Sequence, residues 1–314
     1  MIITRTPLRI SFVGGGSDRD EFLKAGNIGA CVSAAIDKYV YVTLSNKYDG
    51  NFRVAYSKTQ DAKKLSEIQH ELVRECLALT GIEGVEIHSI ADIPGGTGLG
   101  SSSSFTVGLL AALDCHDFTK NAAPQWLART ACRIEIDKCK KAIGRQDQYA
   151  AAFGGLNSYR FLPSNRVEVH PIECDYQTLS NHCLLLDTGL RRNDDAGVVL
   201  ERQNHDMDAI RTLRNFVSPF EGALLDNDME ACGVILDLCW QVKRRFVMDS
   251  AIDAWYNAAR EYGAWGGKLC GAGGGGFLLF MAPPRHHDTI ASVLGLRIVP
   301  IKIGSEGSRV VYRS

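Results

Sequence analysis

The sequence predicts an α+β fold in two lobes, on three observations. Strand-like and helix-like stretches mix through the first half. The character changes near Asn181, beyond which helical patterns dominate. A strand–glycine turn–strand hairpin then closes that second half. The expected division is 1–180 for a first lobe and 181–314 for a second. Charge is balanced, with 35 basic and 36 acidic residues, so neither a nucleic-acid surface nor an acidic tail is indicated. Apolar residues make up 45%, enough for a substantial core. No run is long and apolar enough for a membrane span, and the N-terminus lacks a signal pattern. Ten cysteines without any C-x-x-C pair read as reduced thiols of a cytoplasmic protein rather than a zinc site.

In chain order, Thr4–Val13 reads as a strand and Gly14-Gly-Gly-Ser-Asp18 as a glycine turn. Ile36–Leu44 is rich in β-branched and aromatic residues and reads as a second strand. Lys63–Leu79 carries a helical stripe of Leu65, Ile68, Leu72, Val73, Cys76 and Leu79. Val85–Ile90 alternates as a half-buried strand, and Val107, Leu110 and Ala111 follow helical spacing. Asn121 is placed to cap a helix with Pro124 in its first turn, carrying Leu127, Ala131 and Ile134 on one face. After a break near Gly144, a helix through Ala150 and Ala151 ends at Gly154-Gly155. Cys183–Asp187 is a short buried strand, followed by the polar segment Arg191-Arg-Asn-Asp-Asp. Three helical stretches across about 195–262 are expected next. The hairpin around Gly271-Ala-Gly-Gly-Gly-Gly276, a last helix and two short strands complete the chain.

The most informative segment is Pro94-Gly-Gly-Thr-Gly-Leu-Gly-Ser-Ser-Ser-Ser104. It joins a strand to a helix. Its glycines (Gly95, Gly96, Gly98, Gly100) let the backbone approach a ligand, with Thr97 and Leu99 between them. Ser101, Ser102, Ser103 and Ser104 open a helix whose free N–H groups attract anions. A flexible linker would not run straight from a strand into an apolar helix. The segment is neither a Walker-type loop nor part of a protein-kinase signature. A phosphate cradle is therefore expected here. Phosphoryl transfer also needs a metal held by hard oxygens and a group that positions or deprotonates the acceptor. Ser101 or Ser102 can supply a hydroxyl to Mg²⁺, and Glu135 a carboxylate. Asp147, starting a helix after a glycine break, can point into a cleft, and Arg9 lies close to the first glycine turn.

Three stretches, Pro7-Leu-Arg-Ile-Ser-Phe-Val-Gly-Gly-Gly-Ser-Asp18, Pro94–Ser104 and Lys268-Leu-Cys-Gly-Ala-Gly-Gly-Gly-Gly-Phe277, resemble the three motifs of the GHMP kinase superfamily, in order and across nearly the whole chain. The resemblance implies an N-terminal lobe like ribosomal S5 domain 2 and a ferredoxin-like C-terminal lobe, with ATP and acceptor between them. It implies that Pro94–Ser104 holds the ATP phosphates and that Ser102 and Glu135 hold magnesium. Asp147, in a Gly-x-x-Asp-Gln context, becomes the catalytic residue paired with Arg9. Gly15, Gly16, Ser17 and Asp18 become acceptor ligands, and Gly273 and Gly274 part of the floor of the acceptor site.

The first motif lacks the Glu-His of galactokinases. Its Gly-Gly-Gly-Ser-Asp form and the Trp265-Gly-Gly-Lys-Leu run are similar to those of bacterial D-glycero-D-manno-heptose 7-phosphate kinases. That branch implies transfer to the anomeric hydroxyl of a sugar already bearing a phosphate. A second phosphate needs cationic anchors, for which Arg191, Arg192, Lys243, Arg244, Arg245 and Lys268 are candidates, Lys268 foremost. A kinase for an unphosphorylated sugar such as fucose, and a non-catalytic sugar or nucleotide sensor on the same fold, are the competing expectations. The expected partners are ATP and a small sugar phosphate, not nucleic acid or membrane, with a homodimer left open.

Overall fold

The computed structural model describes residues 1–117, 122–190, 202–204, 206–247, 249–271, 273 and 275–314. Strand β1 (Ile2–Val13) pairs antiparallel along its length with β2 (Gly29–Asn46). The short helix α1 (Asp20–Lys24) lies between them. β2 is long enough to serve two further partners. Its second half pairs with β5 (Val85–Ala91), and its first half with β6 (Leu156–Phe161). Strands β3 (Phe52–Ala55) and β4 (Thr59–Ala62) extend the sheet beyond β5, and β7 (Val167–Pro171) extends it beyond β6.

Four helices accompany this sheet: α2 (Glu71–Thr80), α3 (Ser101–Asp117), α4 (Pro124–Cys132) and α5 (Gln146–Phe153). Leu8, Ile10 and Phe12 of β1 and Val107, Leu109, Leu110 and Leu113 of α3 are fully buried in one cluster. Burying a side chain of this size contributes roughly 1.5–3 kcal/mol, so α3 is anchored along its length.

The second sheet is antiparallel. Among the described residues it has the order β11-β8-β10-β9, formed by Arg297–Ile298, Cys183–Asp187, Phe277–Met281 and Gly266–Leu269. Helices Met229–Val247 and Ser250–Glu261 pack on it, burying Trp240 and Tyr256 against Phe280. The α+β class and the glycine hairpin are as expected. The chain's last strand, β12 (Arg309–Arg313), returns to pair with β1.

Several local expectations are corrected. The stripe over Lys63–Leu79 is not one helix. A single 3₁₀ turn, Leu65–Glu67, is closed by the Glu67 carboxylate accepting from the Lys63 and Lys64 amides at 2.9 and 3.3 Å, and α2 starts only at Glu71. Four helices rather than three lie between Met207 and Glu261. Pro219 lacks the N–H that would reach the Asn215 carbonyl, so Met207–Asn215 and Val217–Leu225 separate at Phe216. The cap position of α4 is Ala123, with Pro124 first in the helix. Asn121 lies outside the described residues, as do Arg191, Arg192 and Gly274. Strands β3, β4, β6 and β7 were not anticipated.

Candidate active site

The three glycine motifs meet. Arg9 is aimed by a register shift at Pro7/Leu8, where β1 slips against β2. Its amide donates to the Leu99 carbonyl at 3.0 Å and its Nη1 to the Gly98 carbonyl at 2.7 Å. The other edge of the guanidinium grips Asp147 with two bonds, Nε to Oδ1 at 2.8 Å and Nη2 to Oδ2 at 2.7 Å. This fork-to-fork pairing fixes the carboxylate plane. Arg9 is buried, whereas the Asp147 side chain remains 28% exposed, toward the cavity it lines. Gly98, at φ +80, lies against the third motif: a Cβ there would fall 2.5 Å from the Cys270 carbonyl oxygen. The loop is thereby clamped between β1 and the β9–β10 turn.

The four serines divide their work. Ser104 donates to the Pro7 carbonyl at 2.7 Å and secures α3 to β1. Ser103 donates to Glu135 Oε2 at 2.7 Å, and Ser102 to Oε1 at 3.2 Å. Ser101 lines the cavity with Gly100, Ser102 and Ser103. Glu135 is fully buried on a π turn, Arg133–Lys138, closed by the Cys139 amide on the Ile134 carbonyl at 2.9 Å. Thr106 Oγ1 and Gln148 Nε2 complete its shell at 3.2 and 2.5 Å. Burial raises its pKa, while Lys141, Ser103 and Gln148 oppose the rise. A solvated helix face, the plain alternative for a glutamate in this pattern, is excluded.

Asp18 accepts from the Gly16 amide at 3.1 Å and the Gln146 amide at 3.0 Å. Burial is the main cause of its raised pKa, and Asp147 adds to it. A Cβ on Gly144 would collide with this carboxylate, which gives the glycine break its purpose. Lys243 donates to the carbonyls of Leu269 at 2.8 Å and Gly271 at 2.5 Å, and Lys268 to that of Phe12 at 2.8 Å. Burial pushes both ammonium groups down, Lys243 to about 7 with Lys268 contributing.

Arg9, Asp18, Asp147, Lys243, Lys268 and Ser101, Ser102 and Ser103 line one cavity of about 330 Å³, bordered also by Gly15, Gly16, Gly96, Gly98, Gly100 and Gly271, whereas Glu135 is buried behind Ser102 and Ser103, outside the lining. Not every expected residue reaches it. Ser17 is sealed in the interior, its hydroxyl bonded to the Gly14 and Ala30 carbonyls and the Ala30 amide. Leu99 is core, Thr97 closes the turn on the Pro94 carbonyl at 3.0 Å, and Pro94, Gly95, Ser104 and Gly273 lie outside the lining. Arg244 pairs with Asp253 at 3.0 Å, and Arg245 is exposed away from the cavity. The Trp265-Gly-Gly run is structural, since a Cβ on Gly266 would strike helix Met229–Val247 and one on Gly267 the neighbouring strand.

Sequence reasoning missed Lys141, Arg19, Gln146 and Gln148, all but the last in the lining. Lys141 sits in a Lys-Lys pair that reads as surface charge. A larger cavity of about 560 Å³, flanked by Trp126 and Arg129, holds none of the glycine motifs.

A loop at a helix start and an Arg-fixed aspartate in one cavity, with a buried carboxylate behind the loop hydroxyls, define a phosphotransferase site. The family comparison agrees. Residues 65–155 match the GHMP kinases N terminal domain and residues 220–295 the GHMP kinases C terminal domain. The chain belongs to the GHMP kinase family and is an ATP-dependent kinase with an alcohol acceptor.

It is 27% identical to a D-glycero-alpha-D-manno-heptose 7-phosphate kinase of Campylobacter jejuni, over 93% of either chain. It is 25% identical to a galactokinase of Pyrococcus furiosus, over 93% of this chain and 92% of that one. A crystal structure of a D-glycero-D-manno-heptose 1-phosphate kinase from Bacteroides thetaiotaomicron superposes with a TM-score of 0.83 at 23% identity, covering both chains completely. That last likeness concerns the fold. Among the described residues no helix is long and apolar enough to cross a membrane.

Proposed function

We propose that the chain transfers the γ-phosphoryl group of ATP to the anomeric C1 hydroxyl of D-glycero-D-manno-heptose 7-phosphate, giving the 1,7-bisphosphate. The observation that carries the chemistry is the Arg9–Asp147 pair, set in the same cavity as the serine-rich helix start. The choice of acceptor rests on the heptose 7-phosphate kinase relative and on two cavity lysines.

In this reading, the amides of Gly96–Ser103 hold the nucleotide phosphates. Asp147 accepts a hydrogen bond from the acceptor hydroxyl and orients or deprotonates it. An anomeric hydroxyl is more acidic than an ordinary alcohol, so a modest base suffices. Arg9 keeps the carboxylate in plane and places positive charge where negative charge develops. Asp18 and the Gly15–Gly16 backbone take sugar hydroxyls, and Lys268 and Lys243 take the remote phosphate. Tyr56, His70 and Phe105, in edge and tilted contact at 4.7 and 5.2 Å between ring centres, offer an aromatic flank near the start of α3 for a base.

Magnesium fits the donors present. The Ser102 hydroxyl and a Glu135 oxygen are 3.2 Å apart, close to the roughly 3 Å between neighbouring oxygens around an octahedral Mg²⁺. When bound, it would neutralise charge on the phosphates. Among the described residues there is no group of three or more acidic, His or Cys ligands, which suits an ion completed by phosphates and water.

A second reading, an unphosphorylated sugar such as fucose as acceptor, draws on one observation. Both lysine ammonium groups are already engaged by backbone carbonyls. One experiment decides: ADP release is followed with ATP and, in turn, heptose 7-phosphate, fucose, galactose and mevalonate. Turnover with heptose 7-phosphate alone is expected. Preference for fucose would replace the acceptor assignment, and ligand binding without ADP release would mean a sensor.

A further inference from the structure

Lys141 is a charged group of the cavity that the family reading leaves without a task. Its Nζ lies 2.9 Å from Ser102 Oγ and 3.9 Å from Glu135 Oε1, beside the two residues assigned to magnesium. A serine hydroxyl has one proton and two lone pairs. Here the proton points to Glu135 and the oxygen accepts from Lys141. A metal ion needs that same oxygen and that same carboxylate. A metal ion held there would face the same pair of oxygens as the ammonium, so the two cations would compete for one place.

The backbone under Lys141 is pinned. Its amide donates to the Glu135 carbonyl at 3.0 Å, and the Ile143 amide donates to the Lys141 carbonyl at 2.9 Å. The side chain, by contrast, is 30% exposed and can swing without moving the loop. A buried carboxylate is stabilised in its charged form by a nearby cation, and this lysine supplies one.

We propose that Lys141 is a positioning residue that occupies the metal seat while the site is empty. It gives the seat up when nucleotide phosphates bring a second source of negative charge. The protein then takes up magnesium with its nucleotide rather than alone. This inference rests on the assignment of Ser102 and Glu135 to the metal.

The test uses Mn²⁺ as probe, followed by electron paramagnetic resonance of the full chain without nucleotide. Lys141→Met is expected to bind Mn²⁺ at least tenfold more tightly than wild type. Lys141→Arg, which keeps the charge, is expected to stay within twofold of wild type, and Lys141→Gln provides a second neutral variant. Equal Mn²⁺ affinity in wild type and both neutral variants overturns the proposal. Glu135→Gln, measured with a non-hydrolysable ATP analogue, separates the two levels. Loss of Mn²⁺ there while the Lys141 variants stay unchanged removes only the role of Lys141. Undiminished Mn²⁺ in Glu135→Gln removes the metal assignment and this inference with it.

Discussion

In the proposed mechanism Asp147 and Arg9 act as a unit, because neither oxygen of the carboxylate is free of the guanidinium. Asp147→Asn cannot reproduce a two-bond pairing in which both atoms accept. It should lower kcat by about 10²–10⁴-fold, the usual reach of a positioned acid–base group, with ATP affinity retained. Steady-state kinetics with nucleotide titration checks this, and wild-type turnover would remove Asp147 from the mechanism. Lys243 gives a different signature. Burial and Lys268 hold its folded pKa down to about 7, whereas an unfolded lysine titrates near 10.4. Between these values the unfolded chain binds more protons, so stability rises with pH there, and the full penalty is felt below about pH 7. In Lys243→Met that contribution is gone. The wild type should therefore gain thermal stability relative to the variant as pH goes from 7 to 8.5, and a constant difference in Tm would count against a buried, titrating Lys243.

At the scale of elements, glycine-to-carbonyl contacts hold the site together. Gly98 combines a positive φ with an approach to Cys270 that leaves no room for a methyl group. Gly98→Ala should cost about 1–3 kcal/mol through overpacking, with further backbone strain. It should raise the KM for ATP more than a surface Gly→Ala such as Gly222→Ala, where nothing lies within 4 Å. Matching melting curves and KM values for the two variants would contradict the clamp. This scale also shows the limits of reading the chain. The phosphate loop was legible because a glycine run between a strand and a helix has few structural uses. The π turn that buries Glu135, and the β3–β4 and β6–β7 pairs, were not. A π turn differs from an α turn by one residue, and four- to six-residue strands carry too little periodicity to stand out.

At the scale of the molecule, the proposed division at residues 180 and 181 is crossed twice. β12 returns to the first sheet, and one apolar cluster runs from Ile2 and Leu8 to Phe277 and Leu279. Calorimetry should accordingly show one cooperative transition, shifted upward by ATP analogue with metal through binding to the native state. Two separate transitions would mean that the lobes are independent.

The sequence alone determined the class of the fold and the three glycine motifs, and offered Arg9, Glu135 and Asp147 as candidates through the family resemblance, because local conformation and residue chemistry are written in short stretches. Only the tertiary structure decided which motif residues face the cavity. It turned Ser17, Leu99 and Ser104 into framework, brought Lys243 to the wall and set Lys141 beside Ser102 and Glu135. Those outcomes depend on contacts between segments far apart in the chain, where side-chain direction is fixed by packing rather than by neighbours in sequence.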